Sequence, residues 1–244
     1  MRYFWQFIVI AVVVILWDIF SSNLIPSPLR TLEAFNQIIT SGVLSVGIID
    51  SLYRYILGLT FGALAGIIIG FIFGFYPKIA SAFEPLFSIL RPISPIAWVP
   101  IVLIIFGIGN MPTIFIIAYS VFFPVLLLSI KAIKDLPSEL ITVAKNFGAS
   151  RLQIFTGVIL PSSFLSLISS LRLAASLAWI NLVVGEMLGA QTGLGYMIID
   201  SRNQLRIDIL LVVIITIGII GMLINLAFGV IEKQTSRRYG YDRD

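Results

Sequence analysis

Residues 55–77 carry no charged side chain, and Arg54 and Lys78 close the run at its two ends. A bilayer core takes about 20 apolar residues of helix, at a rise of about 1.5 Å per residue, so such a run is a candidate span. Further runs meet or approach that length. Tyr3 to Trp17 lies between Arg2 and Asp18, and Ile209 to Ile231 lies between Asp208 and Glu232. The stretch from Pro92 to Ala132 is interrupted only by Lys131 and is too long for one crossing. It breaks at "FGIGNMPT", Phe106 to Thr113, where two glycines, an asparagine and a proline signal a turn. A last run, from Ser162 to Leu188, contains Arg172 and Glu186. With 59% hydrophobic and 11% charged residues and a mean hydropathy of +1.05, the solvent of this chain is mostly lipid. The expected fold is an all-α, multi-pass membrane protein forming a single transmembrane domain over residues 1–244. Its spans fall at about 3–20, 55–76, 80–105, 113–130, 162–188 and 209–231.

The distribution of basic residues orients these spans. With a cytoplasmic N-terminus, that side holds Arg2, Lys78, Lys131, Lys134, Lys145, Arg151, Lys233, Arg237, Arg238 and Arg243. The opposite side holds only Arg30, Arg54, Arg202 and Arg206, so both termini are expected in the cytoplasm. A cleaved signal peptide is the alternative for the first run, but "FSSNLIPSP" offers no small-x-small cleavage site. Between the first two spans, Leu32, Phe35, Ile38 and Ile39 fall at helical spacing behind Ser27-Pro28, the pattern of an amphipathic helix lying on the outer face.

Gly58, Gly62, Gly66, Gly70 and Gly74 repeat at four-residue spacing in the second span. One helix face without side chains lets a neighbouring backbone approach closely, so the expectation is helix packing, with a sliding surface as the alternative. The third span opens with "LRPISPIAWVPIV", where Pro92, Pro95 and Pro100 withdraw backbone donors and should kink or unwind it. Broken backbone at membrane depth is tolerated where it is buried or lines a water-filled cavity. Arg91, Ser94 and Trp98 are therefore candidate pathway residues; the alternative is a structural kink with Arg91 snorkelling to the interface.

A charge near a span's centre costs roughly 2.5–3.5 kcal/mol on insertion scales and usually faces water or the bundle interior. That adds Arg172 and Glu186 to the candidates, with Trp179 and Asn181 between them; an interfacial role capping the following turn stays open for Glu186. The two charges are too far apart along one helix, about 21 Å, to pair with each other. "GAQTGLGYMI", Gly189 to Ile198, follows as a glycine-rich re-entrant turn.

The remaining polar feature is "ITVAKNFGASRLQIFTGVILP", Ile141 to Pro161, within the cytoplasmic loop 131–161. Pro137 suits a first helical position, and Leu140, Ala144 and Phe147 line one helix face up to a stop at Gly148. Ser150 with Gln153 forms a capping-box pattern for a second helix, striped by Leu152, Phe155, Val158 and Ile159 and ended by Leu160-Pro161. Such a hairpin presents a small apolar and basic surface, expected to dock a cytoplasmic partner, with packing on its own bundle as the alternative. Reading DNA with it is incompatible with membrane spans tethering both ends, so no nucleic acid is expected.

At these residues the chain resembles the membrane permease subunits of binding-protein-dependent ABC importers. Their loop signature, Glu-Ala-Ala followed by a glycine and then Leu-Pro, reads here Thr142-Val143-Ala144, Gly148-Ala149 and Leu160-Pro161. "RPISPIAWVPIVLIIFGIG" and "VVGEMLGAQTGLGYMI" resemble the branch importing sulfonates, taurine, nitrate and bicarbonate. The resemblance implies a type I importer permease fold in the plasma (inner) membrane. It also implies two ATP-binding subunits gripping the loops at 137–161, a second permease chain expected to be another copy, and an extracytoplasmic solute-binding protein. Docking would use Glu139, Thr142, Val143, Ala144, Gly148, Ala149, Leu160 and Pro161, although Thr142 stands where the family carries its acid.

No cofactor or metal is expected in this chain; ATP and Mg would belong to the partner ATPase. The sequence has no Cys, no His and no G-x-x-x-x-G-K-[ST] loop, so it is expected not to be an enzyme. A stand-alone secondary transporter or channel is the alternative, but it would want ion-coupling acids within the spans or an inverted repeat.

Overall fold

The computed structural model describes residues 2–22 and 25–238. Arg243 of the basic set, and Asn23 and Leu24 of "FSSNLIPSP", lie outside them. Every regular element among the described residues is helical: α1 Arg2–Ile19, α2 Pro28–Thr40, α3 Val43–Phe75, α4 Pro77–Leu90, α5 Val99–Phe106 and α6 Asn110–Lys134 come first. The loop helices α7 Ser138–Asn146 and α8 Arg151–Ile154 follow, then α9 Leu160–Gly189, α10 Leu194–Asn203 and α11 Ile207–Arg238.

Four helices, α3, α6, α9 and α11, are long and apolar enough to cross a membrane. The pair α4 and Pro95–Phe106 qualifies as a fifth crossing, bent by 84°. The sixth expected span is α1, whose apolar stretch Phe7–Ile19 is shorter. Phe7, Val9, Val13, Ile15 and Ile19, which point to different sides of it, are exposed, which suits lipid.

The bundle is built on α3 and α6. The five glycines of α3 face α6 so closely that an added Cβ would sit 2.5 Å from Ile117 Cβ at Gly58, 2.5 Å from the Ala118 carbonyl at Gly62, and 2.5 Å from Ser129 Cβ at Gly70. Against the other side of this pair packs α9, through Ala174, Ala175, Ala178 and Leu182, all buried. Small residues thus do in lipid what apolar burial does in water, allowing backbone-to-backbone contact and dispersion. The amphipathic α2 is capped by the Ser27 hydroxyl, which accepts from Arg30 N–H, and starts with Pro28; it buries Ala34 and Ile38 against the bundle.

Three boundaries differ from the sequence reading. The helix expected at 55–76 begins at Val43, because Asp50 and Arg54 do not end it: Arg54 is neutralised within the protein instead of by water. The stretch 80–105 is two helices, since Pro92 and Pro95 leave residues 91–94 without a continuous helical ladder. Pro161 does not separate the loop from the next span. A π turn at Phe155–Ile159, with Leu160 N–H donating to the Phe155 carbonyl, carries the chain from α8 straight into α9.

Candidate functional site: a cleft, a clasp and a loop

The break after α4 opens a cavity of about 550 Å³, lined by Arg91 and Pro95 from the break, Tyr119, Ser120 and Pro124 from α6, and Asn181 from α9. Tyr119 fixes its edge: the hydroxyl donates to the Leu90 carbonyl at 2.6 Å, which also accepts from Ile93 N–H at 3.1 Å in the turn that ends α4. Trp98 packs on the Tyr119 ring at 5.8 Å. Pro124 has no N–H for the Ser120 carbonyl, so a backbone acceptor is left without its helical donor beside the cavity. The cleft therefore offers one cation, an amide, a hydroxyl and aromatic and apolar walls, a set able to hold a small polar or anionic molecule.

At the far end of α9 a second polar group is completely enclosed. Glu186 is 0% and Arg54 3% exposed, and they pair at 2.6 Å. The Ser51 hydroxyl reaches both carboxylate oxygens at 2.9 and 2.8 Å, and Gly195 N–H donates to Glu186 at 2.9 Å. Arg54 donates also to Asn110 Oδ1, the Thr192 carbonyl and Thr192 Oγ1. This clasp ties α3, the start of α6 and the turn between α9 and α10. Gly193, at φ 102°, passes so close that a Cβ would fall on the Glu186 carboxylate.

The candidate pathway residues thus separate. Arg91 and Asn181 line the cleft, with Trp98 packed at a tilt on its rim and the exposed Ser94 in the break that forms it. Arg172 instead reaches α11, bonding Glu232 at 2.8 Å and Asn225 at 3.2 Å. Trp179 lies in the core, edge-on to Tyr55 at 5.6 Å, its Nε1 donating to the Ile217 carbonyl. Glu186 is held in the clasp. Sequence reasoning missed Arg54, Ser51, Asn110 and Thr192, having read Arg54 as the charge that bounds a span. One signal was present: Ser51 and Gly47 extend the small-residue face of α3 two and three turns before the first glycine of the repeat. Among the described residues no group of three or more Asp, Glu, His or Cys could hold a metal.

The loop is fixed by two caps. After α7, Ala149 N–H bonds the Ala144 carbonyl and Gly148 N–H the Lys145 carbonyl, with Gly148 at φ 77°, the Schellman arrangement. Ahead of α8, Gln153 N–H donates to Ser150 Oγ at 3.3 Å and Ser150 N–H to Gln153 Oε1 at 2.8 Å, both arms of a capping box. Leu140, Val143 and Phe147 share one face of α7 and are exposed, Phe147 by 87%. Glu139 is exposed in the first turn of α7, one turn before Thr142.

Helices of spanning length, a cleft at a broken helix and a rigid loop with an uncovered apolar face define a membrane transport component. Residues 62–240 match the family described as binding-protein-dependent transport system inner membrane component. An ABC transporter permease protein of Methanocaldococcus jannaschii is 35% identical over 236 residues, covering 92% of this chain and 88% of that one. The aliphatic sulfonates transport permease SsuC of Bacillus subtilis is 29% identical, covering 96% and 87%, and the taurine transport permease TauC of Escherichia coli is 32% identical, covering 78% and 69%. In fold, a chain of the MetNI methionine ABC transporter in an inward-facing conformation superposes with a TM-score of 0.69 at 20% identity, covering 79% of this chain and 96% of that one. The chain belongs to the binding-protein-dependent inner membrane transport family; it is the transmembrane permease component of an ABC importer.

Proposed function

We propose that this permease forms the translocation path for a small anionic solute, delivered by an extracytoplasmic binding protein, and that two ATP-binding subunits move it through the loop 137–161. Two permease chains, copies of each other, enclose the path, with the N- and C-termini on the cytoplasmic side. ATP and its Mg²⁺ are handled by the ATP-binding partner. The relatives named for sulfonates and taurine agree with Arg91 as the charge in the cleft.

The observation that carries the coupling role is the exposed face Leu140, Val143 and Phe147, held rigid between a Schellman turn and a capping box. An apolar face on an otherwise polar loop is what a partner covers. With Thr142 in place of an acid, that grip relies on apolar contact together with Glu139. A loop so constrained passes a push on α7 into α9 as a rigid-body movement, because α8 runs on into α9.

The test is co-purification of the permease with its ATP-binding subunit, and ATP turnover of the pair in liposomes. Phe147→Asp should abolish both association and stimulated turnover while leaving the permease folded in detergent. Unchanged association would show that the face docks nothing.

A further inference from the structure

Helix α4 buries none of its side chains, yet its surface divides into three distinct stripes. Ala80, Phe83, Phe87 and Leu90 form the packed one, with Phe83 and Phe87 against Phe73 and Phe87 against Phe123. One residue behind this stripe, Ile79, Leu86 and Ile89 are exposed and apolar, as a lipid-facing side would be. One residue ahead of it, Ser81, Glu84, Ser88 and Arg91 recur at spacings of three and four, all exposed and all polar. An exposed carboxylate on a membrane-crossing segment is costly against lipid, so this side faces water or solute.

Two cavities lie along this stripe. Arg91 lines the cleft already described, and Ser81, Glu84, Pro85 and Ser88 line a second cavity of about 480 Å³ together with Lys134 at the loop end of α6. Inside the second, Ser88 Oγ donates to Glu84 Oε1. Pro85 has no N–H for the Ser81 carbonyl, which is thereby left without its helical donor. The same device, serine followed four residues later by proline, occurs at Ser120 and Pro124 on the wall of the first cavity.

We propose that the Ser81–Glu84–Ser88 face of α4 continues the solute route from the Arg91 cleft to the coupling-loop side, and that it is an acceptor-lined segment. Arg91 meets the anionic end of the solute; the Glu84 carboxylate and the carbonyls freed by Pro85 and Pro124 meet hydrogen-bond donors. The solute class that suits both is an anion that also carries an ammonium, amide or hydroxyl group, in contrast to a simple inorganic anion with acceptors only. This rests on the translocation reading above.

The chain has no cysteine, so single cysteines report cleanly. Ser88→Cys, and Ser81→Cys as a second site, are introduced into the permease assembled with its ATP-binding subunit in lipid nanodiscs. Each is treated with a trimethylammonium-ethyl or a sulfonatoethyl methanethiosulfonate, and rates are normalised to those of a free thiol. Leu226→Cys on the exposed side of α11 serves as the lipid-facing control. The expected result is labelling at both sites but not at the control, with the Glu84 charge raising the cationic-over-anionic rate ratio at Ser88→Cys by roughly thirtyfold, the effect of one unit charge at about 4 Å in water acting for one reagent and against the other. Adding Glu84→Gln should remove that bias, leaving the ratio at one or below it because Arg91 and Lys134 then act alone. Labelling no faster than the control, or a ratio indifferent to Glu84→Gln, overturns the proposal. If ATP turnover stays coupled in those same nanodiscs, only this inference falls and the importer reading stands.

Discussion

Arg54 and Glu186, 132 residues apart in sequence, meet at 2.6 Å in a site closed to solvent. Ser51, Asn110, Thr192 and Gly195 occupy most of the pair's remaining hydrogen-bonding positions, which is what a buried ion pair needs if desolvation is not to outweigh attraction. Removing one partner leaves the other charge buried and unpaired, at a cost of about 3–5 kcal/mol. Arg54→Met and Glu186→Met should each lower the melting temperature of the detergent-solubilised permease sharply, and the double variant should lose much less than the sum. Additive losses would show that the two charges are not energetically coupled.

This clasp also marks the limit of what the sequence disclosed. The apolar runs and the glycine period could be read directly, because lipid imposes span length and close packing imposes small residues at four-residue spacing. Which helix fills the glycine face could not be read, nor that Arg54 sits inside a helix, because pairing across 132 residues leaves no local pattern. The loop was legible down to its capping box, since caps are local chemistry. Arg91 and Asn181 share a cleft only because the helix breaks between α4 and α5, and the depth of that bend, 84°, is a tertiary outcome of where the proline-rich segment packs.

The glycine face gives a graded prediction. At Gly62 an added Cβ would lie 2.5 Å from the Ala118 carbonyl and 2.8 Å from Val121 Cβ, so neither backbone nor a stiff side chain can yield cheaply. Gly62→Val should separate α3 from α6, costing about 1–3 kcal/mol or more, and cut the yield of folded permease. Gly218 on α11 has nothing within 4 Å, and Gly218→Val should leave that yield unchanged. Equal losses at both positions, measured by size-exclusion profile, would show that close approach is not what the glycines serve.

Arg172 and Glu232 form the contrasting pair. They also meet at 2.8 Å, but Arg172 is 42% and Glu232 26% exposed, and Ser169 supplies a further bond to the carboxylate at 2.5 Å. Ser169 still bonds the Glu232 carboxylate when Arg172 is lost, so the acid keeps a partner. Arg172→Gln should change stability by only about 0–1 kcal/mol, the range of solvent-exposed pairs. Thermal melts in low and high salt check this: a small loss that shrinks further with salt is expected, whereas a loss as large as that of Arg54→Met would place the pair in a dry environment.

Gly148 separates backbone strain from contact at the loop. Its φ of 77° lies in the left-handed region, and no atom stands within 4 Å of where a Cβ would be, so any substitution acts through the backbone alone. A β-branched residue there costs about 1–2 kcal/mol and would loosen the Schellman turn that sets α7 against α8. Asparagine adopts this conformation far more readily. Gly148→Val should therefore weaken co-purification with the ATP-binding subunit and lower coupled ATP turnover, while Gly148→Asn retains most of both. Because the turn lies outside the bundle, the melting temperature of the spans should move little in either variant. If Gly148→Asn fails as completely as Gly148→Val, the partner reads the absence of a side chain at 148 and not the geometry of the turn, and the face built on Phe147 would have to extend across the glycine itself.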